Sequence, residues 1–388
     1  MKKIQYMVGF QQKKLKVDSK KVFIDASLFS KEEQGSLTYL RELYKSIIGK
    51  NDNFCFVFGC SSPDAIIKIF GNQENIGIYN YFFKNKFLRL FIETPIILWK
   101  NNFSAAHFQY VTPFIKPLKC KYIVTIHDVL FLDHTNDFTL WYRVVRKFLF
   151  FISVKISDLT LTVSDYSRQR ISKHLSIDIN KIRITPNAVS EDFLTFKFNK
   201  QDSKIYIKKF EIFNEFILYV SRIEPRKNQI MLLDLFCNKI SLDDSFTIVF
   251  IGSMTLESGF KGRFLALKEK YPRNIFYFES MNFNDLLHFY NSTKLFIYPS
   301  KCEGFGIPPL EAAIMRSPVL CSDLTAMKDF SFFNPLMFNP LIDDIIDEYN
   351  KANSKLDSIN TELIRKQIIQ KYNWSSGADV LINYYNKI

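Results

Sequence analysis

Cysteine is sparse and unpatterned in this chain. The six present, at positions 55, 60, 120, 237, 302 and 321, show neither metal-ligand pairs nor the spacing of a disulfide scaffold. That excludes a cysteine-held zinc site and a small secreted disulfide fold, and it points to a reducing compartment. No uninterrupted apolar stretch is long enough to span a bilayer. The apolar piece after Lys2 and Lys3 stops at Phe10 and meets Gln11-Gln12-Lys13-Lys14, too short and too soon polar for a signal peptide. A cytoplasmic protein is expected. The chain also lacks G-x-x-x-x-G-K-[ST], G-x-G-x-x-G and H-E-x-x-H, which removes the phosphate-loop, dinucleotide and zinc-protease readings. There is no Asp-x-Asp pair to hold a diphosphate through a metal, and no internal repeat.

What is present suffices for a large core. Hydrophobic residues make up 47% of the 388, enough for two domains of ordinary size and too many for disorder. The formal net charge of +13 is unevenly placed. Residues 1–190 hold 28 Lys/Arg against 15 Asp/Glu, whereas residues 191–388 hold 24 of each, so the whole excess lies in the first half. A basic half implies an anionic partner, either nucleic acid or anionic lipid.

Short apolar runs at 22–25, 54–58, 105–108, 122–126 and 159–163 read as buried strands. Helical patterns lie between them, over 37–48 and around 168–174, the latter capped by Ser164. The alternation resumes at 216–220, 247–251, 275–278 and 295–298. It implies an α/β fold with two parallel sheets, each covered on both faces. Residues 196–210 start polar and without period and are read as a linker. The expected organisation is a basic extension over 1–19, a first domain over 20–195, a second over 211–370 and a last helix over 371–388. Two such domains facing each other would leave a cleft at the C-terminal ends of their strands, where α/β ligands bind.

The most specific stretch is Ser300-Lys301-Cys302-Glu303-Gly304-Phe305-Gly306-Ile307-Pro308-Pro309-Leu310-Glu311-Ala312-Ala313. A strand ends at Pro299, a glycine loop follows, and a helix starts with prolines in its first turn, where a missing N–H costs little. This order aims backbone N–H groups and a positive helix end at an anion in the loop. Two carboxylates beside an anion would repel it unless they bind hydroxyls, and a sugar nucleotide offers both phosphate and hydroxyls. Arg222 and Lys227 follow the 216–220 strand and could face one diphosphate, a fork beside a point charge; the alternative is a solvated basic loop. His127 ends the 122–126 strand and could donate to or polarise the transferred group, or be a histidine satisfied by backbone. Asp25 could contact ligand or cap a loop. Gly35 could let backbone approach a phosphate, or simply turn the chain before a helix.

Two stretches, 84–91 and 141–151, interleave basic and aromatic residues at helical spacing. Each fits a membrane-surface helix or a core helix with a solvated basic face. Their place in the basic half favours an anionic membrane surface.

Together the segments resemble glycosyltransferase family 4, retaining enzymes of the GT-B fold with two Rossmann-like domains facing across a cleft. The resemblance runs from about residue 20 onward. It rests on Phe23-Ile24-Asp25-Ala26, Val124-Thr125-Ile126-His127-Asp128, Val163-Ser164-Asp165-Tyr166-Ser167-Arg168, Ile184-Thr185-Pro186-Asn187-Ala188-Val189, Glu224-Pro225-Arg226-Lys227-Asn228 and the 300–313 stretch. The nearest kind is the mannosyltransferase-like enzymes of bacterial surface polysaccharide, O-antigen or capsule. The resemblance implies that Arg222 and Lys227 clamp the diphosphate, Glu311 binds the ribose and Glu303 the donor sugar. Gly304, Phe305, Gly306 and Leu310 would line the donor, and His127 would stand at the reaction centre, with Asp25 and Gly35 as backbone or acceptor contacts. It implies a nucleotide diphosphate sugar as substrate, GDP-linked in preference to UDP-linked or another, with no cofactor and no metal. The acceptor would be a glycan or lipid-linked, at the inner face of the plasma membrane, and nucleic acid is not expected as a partner. On this reading Lys227→Ala and Glu311→Ala each abolish most transfer and leave the fold intact.

Three departures stand out. Ser221 replaces the family's glycine before the clamp arginine, Arg316 replaces the glycine that ends the helix of the second glutamate, and residues 326–330 replace the usual Pro-Glu and small residues. The third touches the donor rim and bears on sugar identity. Two other classes fit part of the sequence. A non-catalytic nucleotide-sugar or polyanion-binding protein of the same fold would bind donor without transfer. A nucleic-acid binder would rest on charge alone and show steep salt dependence.

Overall fold

The computed structural model describes residues 20–30, 35–50, 53–135, 138–254 and 259–388; the basic extension over 1–19 lies outside them. The chain divides into two compact units, Met1–Asn187 with Asn373–Ile388, and Ala188–Tyr372.

The first unit is built on seven strands: β1 (Lys20–Asp25), β2 (Phe54–Cys60), β3 (Ile76–Asn80), β4 (Ala105–Gln109), β5 (Lys121–Thr125), β6 (Leu159–Thr162) and β7 (Ile182–Ile184). They run in the order β3-β2-β1-β4-β5-β6-β7, and every pairing is parallel. Strands β2 and β6 are buried along their whole length, as strands covered on both faces must be. Helix α1 (Gly35–Ile48) follows β1, and α2 (Leu140–Ile156) and α3 (Asp165–Leu175) flank β6. The Ser164 side chain accepts from the Ser167 N–H and caps α3 as its position forecasts.

The second unit repeats the logic with β8 (Phe216–Val220), β9 (Thr247–Ile251), β10 (Ile275–Phe278), β11 (Leu295–Tyr298), β12 (Val319–Ser322) and β13 (Met337–Phe338). Their order is β10-β9-β8-β11-β12-β13, again all parallel. In each sheet the winding reverses beside its first strand, between β1 and β4 and between β8 and β11. Ligands of open α/β sheets bind at such switch points, outside the C-terminal strand ends.

The expected linker over 196–210 is corrected by the structure. Residues 200–206 form α4 (Lys200–Tyr206), opened by a capping box between Asn199 and Asp202. This helix packs on α5 (Phe283–Ser292) through polar and aromatic groups rather than an apolar stripe, which is why no period marks it. Ser203 Oγ meets His288 Nδ1 at 3.0 Å, the Tyr206 ring stacks on His288 at 3.7 Å, and the Tyr206 hydroxyl donates to Asp285 at 2.7 Å. The unit boundary accordingly falls at Asn187, ahead of the expected residue 195. Helix α6 (Ile307–Ile314) follows β11, and α7 (Trp374–Tyr385) belongs to the first unit, where the Tyr385 and Tyr44 hydroxyls lie 2.8 Å apart.

Candidate functional site

The C-terminal ends of β8 and β11 carry a charged cluster in the second unit. The chain leaves β8 through Ser221 and Arg222, runs extended at Glu224, and turns over Pro225–Lys227. Gly252, at the end of β9, holds φ 142, and a Cβ there would fall on the Ser221 carbonyl. Only glycine lets these two strand exits lie so close.

Glu303 is the hub. Its Oε1 accepts from Lys227 Nζ at 2.5 Å, the Tyr298 hydroxyl at 2.8 Å and Ser300 Oγ at 2.8 Å. Its Oε2 lies 3.4 Å from Arg226 Nη1, and its N–H donates to Thr325 Oγ1 at 2.9 Å. Lys227 also donates to the Tyr298 hydroxyl at 2.9 Å, and Glu224 joins Arg226 at 2.8 Å and Arg222 at 3.1 Å. Burial alone would raise the Glu303 pKa, but the charges of Lys227 and Arg226 with hydrogen bonds from Lys227 and Tyr298 hold it at about 2. Burial pushes Lys227 below the usual lysine range, against the pull of Glu303. In Arg226, where burial acts downwards, the two glutamates win and raise the pKa further. The Arg222 side chain, by contrast, is 53% exposed. Three cations against two carboxylates leave the cluster net positive, a setting that favours an anion.

The loop after Glu303 is held by the residues that depart from the family pattern. Phe305 meets Phe330 edge-on at 5.8 Å and Tyr372 at 5.3 Å. Gly306, at φ 98, leads into α6, and a Cβ there would stand 3.1 Å from Met327 Cγ. Pro308 and Pro309 remove two first-turn donors, so the loop N–H groups and that of Ile307 supply what this helix end can offer. Leu310, which follows the two prolines in that helix, is wholly buried. Glu311 Oε2 accepts from the Tyr290 hydroxyl at 2.8 Å. Arg316 takes φ 64, and its N–H reaches the Ala313 carbonyl while that of Ser317 reaches Ala312. This is the left-handed turn a glycine would make, so the backbone absorbs the substitution. Ser221 Oγ lies 3.5 Å from the Tyr298 hydroxyl.

The other expected residues lie in the first unit. His127 and Asp25 stand at the C-terminal edge of its sheet. His127 Nε2 is 2.8 Å from Gln109 Oε1, and its ring meets Tyr39 edge-on at 4.9 Å. Burial lowers its pKa to about 3, so the imidazole is neutral. Asp25 Oδ1 accepts from the Ser27 N–H at 3.2 Å and the Tyr81 hydroxyl at 3.1 Å. Gly35 opens α1 with an ordinary φ, and a Cβ there would meet nothing within 4 Å, so no close approach demands glycine. Sequence reasoning passed over Tyr298, Ser300, Arg226, Glu224, Thr325 and Gln109. Arg226 and Glu224 sat inside a quoted run, and Tyr298 puts a polar tip on the end of an apolar strand; Thr325 and Gln109 carried no local signal.

The model described as Glycosyltransferase Family 4 matches residues 38–193, and the one described as Glycosyl transferases group 1 matches residues 202–330. The chain belongs to the family 4 glycosyltransferases. Among curated relatives of this family 4 chain, the serotype-specific mannosyltransferase WbdA of Escherichia coli is 27% identical over 239 residues, covering 60% of this chain and 29% of its own length. The O-antigen chain mannosyltransferase RfbU of Salmonella typhimurium is 30% identical over 229 residues, 58% of each protein. The chain thus spans less than two thirds of either. Sucrose-phosphate synthase of Thermosynechococcus elongatus superposes with a TM-score of 0.73 at 13% identity, over 95% of this chain and 98% of that one. WaaG, a glycosyltransferase involved in lipopolysaccharide biosynthesis, gives 0.67 at 15%, over 93% and 98%. At such identities these matches speak for the fold, which is GT-B.

Proposed function

We propose that this chain is a retaining, metal-independent hexosyltransferase. It moves a mannose-like sugar from a nucleotide diphosphate donor, GDP-linked by preference, to a glycan or lipid-linked acceptor of bacterial surface polysaccharide. The observation that carries the reading is the net-positive cluster of Arg222, Arg226 and Lys227 with Glu224 and Glu303, set at the switch point of the second sheet. The O-antigen mannosyltransferase relatives favour mannose. Arg222, exposed, takes the diphosphate with Lys227 behind it. Glu303 trades its internal donors for hydroxyls of the sugar, Glu311 binds the ribose, and the N–H groups of Gly304, Phe305 and Gly306 meet sugar and phosphate. His127 stands beside the transferred group, with Asp25 and Gly35 towards the acceptor.

As the anomeric C–O bond to the phosphate breaks, negative charge grows on the leaving oxygen. The preset cations stabilise that charge more than they stabilise the bound donor. The acceptor oxygen bonds to the same face, and its proton passes to the departing phosphate oxygen, so no separate base is needed. Thermal stabilisation by GDP, UDP and ADP ranks the donors. Radiolabelled GDP-mannose with a lipid extract then tests transfer, and proton NMR of the product reads the anomeric configuration. Donor binding without transfer would favour the non-catalytic reading, and an inverted product would end the retaining one.

Membrane contact belongs to the same reading. Among the described residues no helix is long and apolar enough to cross a membrane. Helix α2 buries Phe150, Ser153 and Val154 and turns Trp141, Val144, Phe148 and Phe151 outward, with Trp141 77% exposed. A core helix with a merely basic outer face would not do this. Residues 86–100 likewise expose Phe87, Ile92, Ile96 and Trp99. The Phe91 and Phe114 rings, 4.5 Å apart, join that stretch to the 110–118 loop, and the Thr112 N–H donates to Ser153 of α2. Exposed aromatic side chains in the same stretches as the exposed Lys84, Lys86 and Lys147 suit an anionic bilayer surface.

A further inference from the structure

Polar side chains of the first sheet and the helices against it form one hydrogen-bonded chain that ends on His127. Gln109 Oε1 faces His127 Nε2 at 2.8 Å. An amide oxygen only accepts, so Nε2 carries the ring's proton. The other end of the amide, Gln109 Nε2, faces His107 Nε2 at 3.4 Å, and Thr125 Oγ1 faces that nitrogen at 2.8 Å. An amide nitrogen only donates, so His107 accepts there and holds its own proton on Nδ1, which donates to the Tyr44 hydroxyl at 2.8 Å. Tyr44 in turn meets Tyr385 of α7 at 2.8 Å. All members but His127, which follows β5 by two residues, sit on strands or helices: His107 and Gln109 share one face of β4, and Gln109 pairs in register with Thr125 of β5. Burial keeps both imidazoles uncharged, so each has one proton and its site matters.

We propose that Gln109 is a positioning residue for His127, fixing the ring as its Nε2–H tautomer so that Nδ1 offers a lone pair to a hydroxyl of the transferred sugar. This rests on the placing of His127 beside that sugar, and it makes His127 an acceptor where the sequence suggested a donor or polariser.

The test is long-range proton–nitrogen NMR on the full chain labelled in histidine, with His127→Asn to assign the ring. The expected wild-type pattern is Nε2–H, still neutral at about pH 5. Gln109→Leu should give mixed tautomers and lower kcat by about tenfold, the worth of one hydrogen bond, with KM for the donor little changed. Gln109→Glu keeps an acceptor and adds charge, so it should retain Nε2–H and move the ring's titration upward. An Nδ1–H pattern in the wild type, or an unchanged His127 spectrum in Gln109→Leu, would overturn the proposal. His127→Ala transferring at the wild-type rate would instead sink the underlying placement, and the two failures are distinguishable because the NMR needs no turnover.

Discussion

Lys227 and Glu303 bury opposite charges against each other, so removing one leaves the other uncompensated. Lys227→Met is expected to lower stability by about 3 kcal/mol, and Lys227→Met/Glu303→Gln to regain part of it, read by urea unfolding. This revises the sequence expectation that Lys227→Ala spares the fold; Glu311→Ala, on a half-buried helix face, should still spare it while abolishing transfer. The pH dependence has a definite sign. Glu303 has a folded pKa of about 2 against an ordinary 4.5. Its ionised form therefore stabilises the fold above that ordinary value, and the contribution is lost as pH falls from about 4.5 towards 2. The melting temperature should drop through that window, less steeply in Glu303→Gln. At Arg316 the left-handed backbone suits glycine, so Arg316→Gly should be neutral or slightly stabilising. Arg316→Val should cost about 1 kcal/mol or more.

Strand exits place the charged cluster, and their spacing is set by Gly252. Gly252→Ala should push the Ser221–Arg222 loop off β9, costing about 1–3 kcal/mol by overpacking and weakening nucleotide binding in the same thermal-shift assay. The elements legible from sequence were those buried on both faces, such as β1, β2, β8 and β9, whose apolar runs are continuous. Ile76–Asn80 is illegible because Gly77 interrupts it, Ile182–Ile184 and Met337–Phe338 because edge strands can be very short, and the buried Val319–Ser322 because its apolar run is only three residues long. Helix α4 reads as linker in the sequence because its inward groups are Ser203 and Tyr206. The site was half legible. Glu303 and Lys227 stand out by their places after buried strands and by the family resemblance, whereas their bond to each other, shared with Tyr298 and Ser300, is a product of parallel pairing between distant segments.

Across the molecule, the charge excess of the first half coincides with the outward aromatic side chains of residues 86–100 and α2. Sedimentation with vesicles should show binding to anionic but not neutral lipid, falling with salt, and Trp99→Ser/Trp141→Ser should weaken it several-fold without changing the melting temperature. Equal binding to neutral vesicles would count against the electrostatic part. The first unit is also discontinuous in sequence: Gly377 of α7 packs near Leu43 and Thr185, and Tyr385 bonds Tyr44. A ribosome must therefore finish the whole second unit before the first can close its core. Until then the face of α1 lies bare on the nascent chain, open to chaperones and proteases. A stop codon anywhere in α7 would cost the cell the opposite end of the protein, far from the codon that changed.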